Sequence, residues 1–181
     1  MPNLLTLFRL LAAPIIFLCL SSQQSFVAWI TLVLFTLAAF TDFLDGYLSR
    51  RWQVESWLGK VMDPIADKLL VTSVLIGLIA FRSPGLWVTV LIYILIVREL
   101  LVGGLREVSR HHSPLAVSVL GKAKTSVQFV ALFVILAEFA GSWPSDFGIY
   151  LLAAATMLSV MSMLEYLVRF IVSETNQDSQ S

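Results

Sequence analysis

Residues 26–50 read FVAWITLVLFTLAAFTDFLDGYLSR. From Phe26 to Tyr47 the run is long enough for one helix to cross a hydrocarbon core, which takes about 20 apolar residues. Two carboxylates, Asp42 and Asp45, nevertheless stand inside one end of it. A soluble domain carries about 25% charged residues; this chain of 181 carries 13%, with 58% hydrophobic. Spread along the whole chain, such hydrophobicity leaves too little polar surface to cover a water-facing globule, so lipid is the expected solvent.

Working outward, six apolar stretches run roughly from Leu4 to Leu20, Phe26 to Tyr47, Val61 to Phe81, Leu86 to Leu105, Thr125 to Ala140 and Phe147 to Ile171. The breaks between them hold the Ser, Gly, Pro and charge of connections. With no long linker and no internal repeat, the pattern predicts an all-α integral membrane protein, a bundle of six transmembrane helices. One domain over residues 1–172 is expected, with a polar, disordered tail over 173–181. The first run starts almost at Met1, contains Arg9 and lacks a clear small-x-small site, so a cleavable signal peptide is not expected. The single cysteine, Cys19, excludes a disulfide framework and any metal-thiolate spacing.

Basic residues predict the orientation. Arg50, Arg51 and Lys60 lie in the second connection, and Arg106, Arg110, Lys122 and Lys124 in or beside the fourth. The first and fifth connections have no Lys or Arg, and the third has only Arg82. By the positive-inside rule the even connections and both termini face the cytoplasm.

On a helix, Asp42, Asp45, Gly46 and Ser49 fall at i, i+3, i+4 and i+7, one stripe that pairs acids with small side chains. Gly59, Asp63, Ala66 and Asp67 repeat the design at i, i+4, i+7 and i+8. Two such helices facing each other converge four carboxylates that repel one another strongly. Mg²⁺ or Mn²⁺ removes the repulsion, because hard dications prefer carboxylate oxygen and accept phosphate as a further ligand. Two such ions form a clamp for phosphoryl displacement. The structural alternative is an ion-pair network with Arg50, Arg51, Lys60 and Lys68; carboxylates within membrane segments favour the functional reading.

The same residues carry a resemblance. Asp42-x-x-Asp45-Gly46-x-x-Ser49-Arg50, eight residues, then Gly59-x-x-x-Asp63-x-x-x-Asp67 resembles the signature of the CDP-alcohol phosphatidyltransferase family. Ser49 stands where the family pattern has alanine; the other signature positions match. The resemblance implies that Asp42, Asp45 and Asp63 are metal ligands and that Asp67 both touches metal and acts as the catalytic base. The deprotonated acceptor oxygen then attacks the phosphorus bearing the diacylglycerol, and CMP leaves. Spacing alone does not say which acid is the base. The stretches Asn3 to Arg9, Arg98-Glu99 with Leu105-Arg106-Glu107, and Gly121 to Thr125 resemble bacterial members of the family that use glycerol 3-phosphate as acceptor.

Candidates for CDP-diacylglycerol binding are Asn3, Thr6, Gly46, Ser49, Arg50 and Gly59. Gly46 and Ser49 suit either close helix packing or approach to the pyrophosphate. Arg50 suits either an interfacial anchor or a phosphate contact. Gly59 either starts its helix or continues the Asp63 stripe. Asn3 and Thr6 read as a helix start, and only the resemblance puts them beside the nucleotide. An anionic acceptor needs cations. Glu99, Gly103, Arg106 and Arg110 fall at i, i+4, i+7 and i+11, and Lys124 lies on the same side of the membrane. Arg106, Arg110 and Lys124 are the candidates for the acceptor phosphate, beside the alternative of plain positive-inside charge. Arg169 has a simpler partner in Glu165, and His111 and His112 are expected in a solvated loop.

The resemblance further implies a homodimer in the bacterial cytoplasmic membrane, with its site open to the cytoplasm. Members forming cardiolipin, phosphatidylserine or phosphatidylinositol phosphate share the signature. A cation-coupled transporter is the rival from another class. Against it, the acids cluster at one interface instead of the midplane, and no apolar stretch is broken around them.

Overall fold

The computed structural model describes residues 2–52, 57–112, 119–141 and 146–178. Among these there are six helices and no strand: α1 (Pro2–Cys19), α2 (Ser25–Trp52), α3 (Trp57–Arg82), α4 (Gly85–His112), α5 (Val119–Phe139) and α6 (Phe147–Asp178). Gly85–Leu105 and Phe147–Ile171 are long and apolar enough to cross a membrane; Leu5–Cys19 and Ser25–Thr41 are shorter apolar helices.

Hydropathy misplaces some helix ends. α4 runs through Arg106, Arg110 and on to His112, so the two histidines end a helix where a loop was expected. α6 likewise continues to Asp178, into the polar stretch expected to be disordered from Ser173. In α4, Arg106, Glu107 and Arg110 are good helix formers, so backbone hydrogen bonding persists after the apolar pattern stops. The ends at turns are set by backbone geometry: Gly141 follows α5 with φ +80°, and its N–H donates to the Glu138 carbonyl at 3.0 Å.

The chain divides into two compact units. The first comprises residues 1–86 and 132–148. In it α1 packs against both α2 and α3. Thr6, Arg9, Ala12, Ala13 and Ile16 form the buried stripe of α1, and Leu20, just past its end, is also buried. Its outward stripe is Leu7, Leu11, Ile15 and Leu18. Thr6 and Arg9 thus turn inward while Leu7, Leu11, Ile15 and Leu18 face outward, an exposed apolar stripe unlike the polar outer face of a helix in a water-soluble domain. Phe17 meets Phe81 at 5.1 Å between ring centroids, and Leu20 fills the space that glycine leaves at Gly77. At the same end of α3, Arg82 donates to the Ser22 carbonyl at 2.8 Å and to Gln23 at 2.9 Å, with its guanidinium 4.7 Å from the Phe139 ring centroid.

Glu138 accepts the Gly148 N–H at 2.9 Å, capping the first turn of α6. A Cβ at Gly148 would stand 2.6 Å from Ile135 Cγ1 and 3.0 Å from the Ile135 nitrogen, whereas one at Gly104 meets nothing within 4 Å. Gly148→Ala is therefore expected to destabilise by about 1–3 kcal/mol through overpacking, and Gly104→Ala to be neutral or slightly stabilising. Thermal unfolding of the two variants in one detergent checks this; equal melting temperatures would refute the close contact.

The second unit comprises residues 87–131 and 149–181. Val88, Leu91, Ile92, Leu95, Arg98 and Val102 form the buried stripe of α4, and Leu152, Ala155, Ser159, Ser162 and Tyr166 that of α6. On the part of α5 in this unit, Lys124, Gln128 and Ala131 are among the buried side chains. An arginine, a lysine, a glutamine and two serines thus lie among aliphatic side chains.

Candidate active site

Both acidic stripes lie on continuous helices. On α2 the buried Thr31, Phe35 and Ala38 are followed, in alternating steps of four and three, by Asp42, Asp45 and Ser49. On α3 the buried Val74 and Leu70 lead back in the same way to Asp67 and Asp63. The acids therefore occupy the register positions that extend the buried faces of two helices, both packed on α1. Asp67 is half-buried, next to a wholly buried Ala66. The side chains of Asn3, Asp42, Asp45, Gly46, Ser49, Arg50, Gly59, Asp63, Arg106 and Arg110 lie outside the described residues. Among the described residues there is no group of three His, Cys, Asp or Glu side chains that could hold a metal. The donor set on the two helices is carboxylate oxygen throughout, which fits Mg²⁺ or Mn²⁺ and not a soft metal.

Thr6, a nucleotide-side candidate, is 2% exposed on the inner face of α1, with Arg9 one turn on at 1%. Arg9 is a charge inside an apolar run, the kind of residue that membrane segments keep for pairing or function.

In the second unit, Lys124 is 5% exposed and its ammonium pairs with Glu99 Oε1. The same oxygen lies 3.4 Å from Arg98 Nη1. Arg98 also donates from Nε to the Ser159 carbonyl at 3.0 Å and from Nη2 to Ser162 Oγ at 3.2 Å. The partners of the Glu99–Lys124 pair are 25 residues apart on different helices, so no spacing within one helix points to it. Arg169 pairs with Glu165, as the i, i+4 spacing predicts.

The model of the family described as CDP-alcohol phosphatidyltransferase matches residues 1–171. The chain belongs to the CDP-alcohol phosphatidyltransferase family. Several relatives carry the name CDP-diacylglycerol--glycerol-3-phosphate 3-phosphatidyltransferase. One from Salmonella choleraesuis is 36% identical over 169 residues, 92% of each chain. One from Shigella flexneri serotype 5b is 37% identical with the same coverage. One from Cereibacter sphaeroides is 41% identical over 136 residues, covering 74% of this chain and 62% of that relative. In this CDP-alcohol phosphatidyltransferase the matched span includes all of the acidic stripes, the Arg98–Glu99–Lys124 cluster and the apolar part of α6.

Proposed function

We propose that this phosphatidyltransferase moves the phosphatidyl group of CDP-diacylglycerol onto glycerol 3-phosphate, giving phosphatidylglycerophosphate and CMP. The observation that carries the proposal is the match along 92% of both chains to a relative named for that reaction. The eight signature positions, on two unbroken helices, support it. All six helices cross the bacterial cytoplasmic membrane, with both termini, the even connections and the site on the cytoplasmic side. The protein works as a homodimer.

Asp42, Asp45, Asp63 and Asp67 would hold two divalent ions, which when bound neutralise charge on the attacking and leaving oxygens. Asp67 takes the proton of the acceptor hydroxyl, whose oxygen attacks the phosphorus bearing the diacylglycerol as the bond to CMP breaks. Gly46 and Gly59 let the helix backbones approach the pyrophosphate, and Ser49 leaves room beside them. Asn3, Thr6 and Arg50 border the CDP group. Arg106, Arg110 and Lys124 take the phosphate of the acceptor, which carries two negative charges and needs cations beside a carboxylate-rich site.

The purified protein is to be given labelled CDP-diacylglycerol with glycerol 3-phosphate, phosphatidylglycerol, serine or inositol phosphate in turn, following CMP release. Glycerol 3-phosphate is expected to give the largest kcat/KM; a preference for free serine would overturn the acceptor while leaving phosphatidyl transfer in place. Arg106→Ala and Arg110→Ala are each expected to raise the KM for glycerol 3-phosphate about tenfold, the loss of one charged hydrogen bond, with the KM for CDP-diacylglycerol unchanged.

A further inference from the structure

We infer that Glu99 is a positioning residue for the acceptor site: it holds the Lys124 ammonium in place for the acceptor phosphate. This rests on Lys124 having the role proposed above. Lysine ends in a compact, strongly hydrated charge on a flexible four-carbon stem, so it is poorly defined unless something fixes it. Lys124 is nearly fully buried on α5, and the Glu99 carboxylate on α4 pairs with its ammonium and so fixes it.

Glu99 is itself held from the side. Arg98, the preceding residue, is 3% exposed and reaches α6 at two points one turn apart, the Ser159 carbonyl and the Ser162 hydroxyl. Its remaining terminal nitrogen lies 3.4 Å from the Glu99 oxygen that pairs with Lys124. A relay therefore runs from the α6 backbone through Arg98 and Glu99 to Lys124, linking three helices. Arginine suits the first step, since its planar fork matches two acceptors at fixed spacing. A pair that merely holds α4 to α5 would leave substrate constants alone; a positioning pair changes the constant of the one substrate that Lys124 contacts.

The test is a double-mutant cycle on the full chain in detergent, with CDP-diacylglycerol and glycerol 3-phosphate as substrates. Lys124→Met is expected to raise the acceptor KM about tenfold. Glu99→Gln should raise it about fivefold, with kcat within about twofold and the KM for CDP-diacylglycerol unchanged. The double variant should be no worse than Lys124→Met alone, because both changes remove one device. If Lys124→Met leaves the acceptor KM unchanged, the role proposed for Lys124 falls and this inference with it. If Lys124→Met raises it but Glu99→Gln does not, or if the two effects add, the inference is overturned while the role of Lys124 stands. Should Glu99→Gln fail to fold, Glu99→Asp keeps the charge and shortens the reach. A raised acceptor KM in that variant supports positioning, and an unchanged one overturns it.

Discussion

Replacing Asp67 with asparagine is expected to lower kcat by about 10²–10⁴-fold, the usual contribution of a positioned general base. Asparagine has nearly the same shape, but its amide cannot take the acceptor's proton. Asp67 is only half-buried and sits beside a wholly buried Ala66, on the face of α3 that continues to Leu70 and Val74. An isosteric change there leaves that packing in place, so the melting temperature and CDP-diacylglycerol binding should change little. Single-turnover CMP release separates the chemical step from product release, and binding of the lipid nucleotide is measured in parallel. A variant that releases CMP at near the wild-type rate would remove Asp67 from the role of base. A variant that no longer binds CDP-diacylglycerol would show the carboxylate acting chiefly as a ligand.

Stripping divalent ions is expected to abolish turnover, and Mg²⁺ or Mn²⁺ should restore it. Asp42, Asp45, Asp63 and Asp67 occupy register positions that extend the buried faces of two helices packed on a common neighbour, and four like charges brought together there would repel one another. Loss of the ions should therefore also reduce stability. Saturation at about 100 times the dissociation constant contributes roughly 2.7 kcal/mol to the folded state, so chelator should lower the melting temperature measurably. Asp42→Asn with Asp45→Asn relieves part of the repulsion, and the chelator-induced fall should shrink in that double variant. Full turnover after verified metal removal would defeat the metal-dependent mechanism.

Much of the helical architecture was legible from apolar stretches, because a chain facing lipid writes its helices as long uncharged runs. The acidic stripes were legible for a related reason: Asp42, Asp45, Asp63 and Asp67 interrupt those runs at helical spacing, and every residue needed to see the pattern is local. Helix ends were not legible where Arg106, Glu107 and Arg110 follow Leu105, since polarity rises there while helix propensity stays high. The partner of Lys124 was not legible either. Position suggested a cation open to an incoming phosphate, but pairing with Glu99 depends on how α4 and α5 pack, which no spacing within one helix encodes. Arg98 with Ser159 and Ser162 left a faint trace, an arginine in one apolar segment and hydroxyls one turn apart in another.

The unbroken course of α2 acts as a depth gauge. Asp42 and Asp45 lie 17 and 20 residues beyond Ser25, about 26 and 30 Å along the axis at 1.5 Å per residue. The hydrocarbon core is about 30 Å thick. In the topology proposed above, a helix entering near Ser25 would deliver its carboxylates at the far headgroup layer, the level at which the phosphates of a lipid-anchored nucleotide ride. A one-turn insertion before Thr41 would keep the stripe nearly in phase yet move it about 5–6 Å along the bilayer normal. Reaction depth is in this sense written in the number of apolar residues between Ser25 and Asp42, and bilayers of different thickness should tune the rate through it.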